Sequence, residues 1–170
     1  NPWWMEEMLG LTPEQRQELL QVSARYARLK QLIFSRWAMV MYNFEKELYA
    51  DPEQDLNALW WTLVEKYQGI KKPAGRDEPD WAAKIHFTIV PCYYHNYLLG
   101  EMLASQLHAC LTRSVLREGG QAGYVGATEA GAWLRERVFG AGASWSWNEM
   151  IKRATGEPLT ARYFVEQFVN

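Results

Sequence analysis

The sequence predicts an all-α fold, and three observations carry that prediction. Apolar residues recur at helical spacing over long stretches, helix-start chemistry stands twice at the head of such a stretch, and only one short run is β-prone. At 170 residues, 48% of them apolar and nine of them tryptophan, the chain has the material for a packed core rather than a disordered segment. The formal net charge is −2, with lysine and arginine scattered among carboxylates, which argues against a nucleic-acid partner bound through its phosphates. No window of about 18 uninterrupted apolar residues occurs, so no membrane span is predicted in this chain. The opening Asn1-Pro2-Trp3-Trp4 lacks a basic region and a cleavage pattern, and is not read as a signal peptide.

Thr12-Pro13-Glu14-Gln15 reads as a helix start: a threonine N-cap, proline in the first helical position and a capping-box glutamine. Behind it Leu19, Leu20, Tyr26, Leu29, Ile33, Trp37, Val40, Met41, Phe44 and Leu48 keep helical spacing. They predict a helix of about 35 residues, near 50 Å long at about 1.5 Å per residue, which suits a strut in a larger body. Asp51-Pro52-Glu53-Gln54 repeats the start chemistry ahead of Leu56, Leu59, Trp60, Leu63 and Tyr67, and Gly69 is placed to stop that helix.

Residues 70–80 hold two prolines, a glycine and several charges, and read as a loop. Ile85-His86-Phe87-Thr88-Ile89-Val90 reads as a short strand or extended segment ending at Pro91. A long helix is expected from about Cys92 to Leu116, closed by Gly119-Gly120, with shorter ones near 128–139, 146–154 and 159–169. No repeat or second domain boundary interrupts the chain, which reads as one all-helical segment over 1–170. Cys92 and Cys110 fall in one expected helix, about 27 Å apart at about 1.5 Å per residue, too far for a disulfide.

A zinc peptidase signature places two histidines one helical turn apart with a glutamate between them, so that both imidazoles face the metal. This chain has only His86, His95 and His108, no two of them four apart, so no self-contained zinc site is expected. A nucleophile elbow, a Walker loop and a dinucleotide fingerprint are also absent from the sequence.

Four motifs in register say more. Trp60-Trp61 is followed by Lys66-Tyr67-Gln68-Gly69, then by Ala83-Lys84-Ile85-His86, then by Tyr94-His95-Asn96-Tyr97. In order and spacing, apart from one residue's difference in length between His86 and Tyr94, they resemble the C-terminal part of the catalytic domain in the angiotensin-converting-enzyme family, the peptidyl-dipeptidase A gluzincins. The likeness continues through Thr128-Glu129-Ala130-Gly131 and Leu134, and through Trp147 to the Leu159–Phe168 tail.

The resemblance implies a larger helical gluzincin fold and a zinc metallopeptidase that releases C-terminal dipeptides from oligopeptides. It implies that Lys84 and Tyr94 bind the terminal carboxylate of the substrate, with Tyr93 the alternative to Tyr94 because of the length difference. It implies that His86 binds the peptide backbone beside the scissile bond and that Tyr97 stabilises the oxyanion. Lys84 and His86, two apart, would share one side of an extended segment, and Tyr94 and Tyr97, three apart, one helix face. A cation with a phenol can grip a carboxylate, and a phenol can stabilise a developing oxyanion. Without the resemblance, Lys84 would read as a solvated loop lysine, His86 as a core histidine and the two tyrosines as packing. His95 and His108 read as structural, and Trp60-Trp61 as core.

The zinc motif, its glutamate base and the third ligand lie upstream in the family. Zinc therefore belongs to the full-length enzyme, with its ligands outside this chain, the missing N-terminal part of the domain is the expected partner, and the fragment alone is expected to be inactive. Asn96 stands where animal members have a chloride-binding arginine, and Met41-Tyr42-Asn43-Phe44-Glu45 where a tryptophan- and arginine-rich stretch supplies the other chloride site, which puts chloride activation in doubt. The implied location is secreted or periplasmic. The rival readings are a related helical gluzincin carboxypeptidase or oligopeptidase, and an inactive helical interaction module.

Overall fold

A computed structural model describes residues 2–116, 124 and 126–169, and no β-strand occurs among them. The helices are α1 (Pro2–Glu7), α2 (Pro13–Ala50), α3 (Leu56–Gln68), α4 (Ile85–Thr88), α5 (His95–Cys110), α6 (Thr128–Leu134), α7 (Trp147–Thr155) and α8 (Arg162–Phe168). A 3-10 turn spans Asp80–Ala83, and π-helical turns extend α5 over Leu111–Val115 and α6 over Arg135–Phe139. The all-α expectation holds. Among the described residues, no helix is long and apolar enough to cross a membrane.

The start of α2 matches its sequence signature in both halves. Gln15 N–H donates to Thr12 Oγ1 at 3.3 Å, and Thr12 N–H donates to Gln15 Oε1 at 2.9 Å, a reciprocal capping box. Gly69 closes α3 with φ 68°, the left-handed turn a glycine reaches without steric cost, and its N–H returns to the Glu65 carbonyl. The start of α3 lies later than expected. Asp51 Oδ1 accepts from the Glu53 N–H, and the Gln54 amide donates to the carbonyls of Glu47 and Asp51, finishing α2. Asp55 then serves as the N-cap, accepting the Ala58 N–H at 2.9 Å.

Three further expectations need correction. The run Ile85–Val90 is not extended: it opens with the helical turn α4, with the Ile89 N–H on the Ile85 carbonyl at 2.8 Å. A strand with no neighbour leaves its backbone groups unpaired, whereas a helical turn pairs them locally. The long helix starts at His95 rather than Cys92, because Cys92 adopts φ 57° and cannot continue a right-handed helix. Cys92 and Cys110 consequently do not share a helix, and both are free thiols. The stop expected at Gly119-Gly120 lies outside the described residues. The short helix α1 had no counterpart in the sequence reading.

The chain divides into two compact units, Leu29–Gly100 and the residues on either side of it. The Leu29–Gly100 unit is built on an aromatic and aliphatic core of Val40, Met41, Phe44, Trp60, Leu63, Val64 and Phe87. Phe44 is its hub, with ring centroids 5.3 Å from Trp60, 5.5 Å from Trp81 and 5.0 Å from Phe87. In the other unit, Gln106 is 1% exposed and ties α5 to the turn after α7. Its amide donates to Thr155 Oγ1 at 2.8 Å and to the carbonyls of Glu157 and Pro158, and its oxygen accepts from the Thr160 N–H. Such full pairing is what a buried amide requires.

Candidate functional site

All four residues singled out by sequence lie in the Leu29–Gly100 unit. Lys84 is the N-cap of α4, in an extended conformation, with its N–H on the Trp81 carbonyl and its own carbonyl accepting from Phe87. Its ammonium sits 5.5 Å from the centroid of Trp37 and 6.0 Å from that of Trp60. Ring faces of this kind attract a cation by about 0.5–2 kcal/mol, depending on how dry the site is. Lys84 also contributes, after Arg76, to holding the Asp80 carboxyl below its ordinary value.

His86 lies inside α4, one residue beyond its first position. Lys84 keeps the extended backbone expected of it, whereas His86 stands in the helical turn that follows, so the two do not share one extended segment. The His86 ring instead meets Tyr94 edge-on at 4.7 Å and Tyr97 at 5.8 Å. Tyr97 Oη lies 3.5 Å from His86 Nε2, a long contact whose donor depends on the tautomer.

Tyr94 and Tyr97 do flank one turn, at the start of α5, with the Tyr97 N–H on the Tyr94 carbonyl at 3.2 Å and the rings 5.2 Å apart. Tyr94 also packs on the hydrophobic core. Burial pushes its phenol above the ordinary value; Trp37 works against that shift and Tyr97 adds to it. Tyr93, the alternative to Tyr94, touches the Tyr97 ring at 5.5 Å and is 44% exposed.

His86, Tyr94 and Tyr97 therefore form one cluster, and Trp37 links Lys84 to it as a neighbour of both Lys84 and Tyr94. Sequence reasoning missed Trp37, which carries no signal beyond its place in an apolar stripe. Tyr97 is 44% exposed. Chemically, the arrangement offers one cation, two phenols and an imidazole, the groups that recognise a carboxylate and a polarised carbonyl.

His95 lies with its ring 6.1 Å from that of Tyr42, and His108 5.8 Å from Tyr124, both as packing contacts. Among the described residues, no three histidine, cysteine, aspartate or glutamate side chains come together so as to hold a metal ion. The donor set among the described residues does not by itself make a zinc centre.

A model of the angiotensin-converting enzyme family matches residues 21–169. The chain belongs to this family. Angiotensin-converting enzyme of Rattus norvegicus is 35% identical over 122 residues, 69% of this chain and 9% of the relative. The Sus scrofa enzyme is 37% identical over 114 residues, 64% of this chain and 9% of the relative. Thermostable carboxypeptidase 1 of Pyrococcus furiosus is 27% identical over 116 residues, 66% of this chain and 22% of the relative. The chain thus spans 9% of the length of these angiotensin-converting enzymes. No solved structure matches it.

Proposed function

We propose that the chain forms the substrate-gripping part of a zinc-dependent peptidyl-dipeptidase that acts on oligopeptides with a free C-terminus. The observation that carries this reading is the convergence of His86, Tyr94 and Tyr97, with the Lys84 ammonium over the ring of Trp37. Lys84 supplies the positive charge for the terminal carboxylate, and Tyr94, whose raised phenol stays protonated, donates a hydrogen bond to it. His86 engages the backbone beside the scissile bond. The hydroxyl of the half-exposed Tyr97 donates to the carbonyl oxygen as negative charge develops there. Zinc and the general base belong, in this reading, to residues outside the chain, and so to the rest of the catalytic domain.

The likeness to a thermostable carboxypeptidase favours a second reading, release of single C-terminal residues. Product analysis on an N-terminally blocked peptide separates them: dipeptides support the first reading and single amino acids the second. In the polypeptide that joins this chain to the metal-binding part, Lys84→Ala is expected mainly to raise KM for peptides with a free C-terminus. It should leave amidated peptides little changed. Equal loss on both substrates would remove Lys84 from carboxylate recognition.

A further inference from the structure

The turn that delivers Tyr94 and Tyr97 is held from α2 at one point where two unusual features meet. Glu45 is 6% exposed, next in sequence to the core hub Phe44, at a position where an apolar side chain would be ordinary. Its carboxylate accepts the backbone N–H of Cys92, which lies 47 positions later in the chain. Cys92 is the one non-glycine residue with positive φ among those described. A buried acid persists where a hydrogen bond compensates its lost hydration, and a side-chain-bearing residue stays left-handed only where its surroundings determine it. One hydrogen bond accounts for both.

The same face of α2 adds two flanking contacts. Tyr42, three positions before Glu45, meets the His95 ring edge-on at 6.1 Å. Tyr49, four positions after it and 56% exposed, neighbours Cys92, and partial desolvation ahead of the neighbouring Cys92 and Glu45 raises its phenol. Residues 42 and 45 thus hold positions 92 and 95, at the start of α5.

We propose that Glu45 is a positioning residue: by holding the Cys92 N–H it fixes where α5 begins, and thereby the packing of Tyr94 and Tyr97 on His86. Its functional consequence rests on the reading of that cluster as a substrate site, but the positioning itself does not.

The test compares Glu45→Gln, which keeps an acceptor oxygen, with Glu45→Leu, which removes it at similar size. Proton NMR reads the contact between the His86 and Tyr97 rings, with the Phe44–Phe87 contact as the internal reference. The Gln variant is expected to keep both contacts, and the Leu variant to lose the first while keeping the second. Persistence of the His86–Tyr97 contact in the Leu variant, or equal behaviour of the two variants, overturns the proposal. Should the Leu variant fail to fold, hydrogen exchange in the unaltered chain decides. The Cys92 amide is expected to exchange well below the rate of an open chain, and free exchange overturns the role. None of these readouts involves a peptide. Failure of the substrate-site reading would appear separately, as unchanged kinetics in Lys84 and Tyr97 variants whose ring contacts are intact.

Discussion

Tyr94 shows how packing tunes the phenol of a single side chain. Its ring leans on the core and on His86, and that burial raises its phenol. A folded-state value above that of the open chain means the neutral phenol contributes stability in full below about pH 10. That contribution is lost as pH rises through the higher folded value. An alkaline absorbance titration should therefore contain a late-ionising component that Tyr94→Phe removes. An unchanged titration curve in that variant would mean that the phenol is not held as described. Of the site residues, the tyrosine pair was legible because three positions on one helix turn put side chains together whatever else the chain does. The Lys84–His86 relation was not, since a helical turn begins between them, at Ile85.

Helix starts and stops were read with mixed success, and the reasons are local. The Thr12–Gln15 box and the Gly69 stop involve only backbone groups within one turn, so sequence determines them. Asp51 resembled a cap in the sequence, but Asp55 takes that role. The Gln54 amide, turning back to Glu47 and Asp51, left Asp55 to begin α3, a choice set by a side chain rather than by a motif. Replacing Asp55 by alanine should cost about 1 kcal/mol in chemical denaturation, the usual worth of an N-cap, and Asp51→Ala less. The reverse order would return the cap to Asp51. Ile85–Val90 misled because a short apolar run has no period by which to tell strand from helix, and only the absence of a pairing strand decides. The π turns after α5 and α6 and the short α1 carry no sequence signal of comparable strength.

At the scale of the whole molecule, family membership was legible because four motifs occur in register from Trp60 to Tyr97, a far stricter condition than any one of them. Trp37, which joins Lys84 to the ring cluster, was not legible, since its role arises from the packing of α2 against residues nearly fifty positions away. The chain spans 9% of the length of its animal relatives, and the proposed reading assigns turnover to the larger polypeptide that also carries the metal-binding part. The central claim is that this chain grips the substrate and stabilises the oxyanion. Steady-state kinetics of Tyr97→Phe in that polypeptide, with a free-C-terminus peptide, test it most directly. The account predicts a kcat lower by about 10²–10³-fold with KM little changed, as for loss of one oxyanion donor. Turnover equal to that of the unaltered enzyme would contradict it.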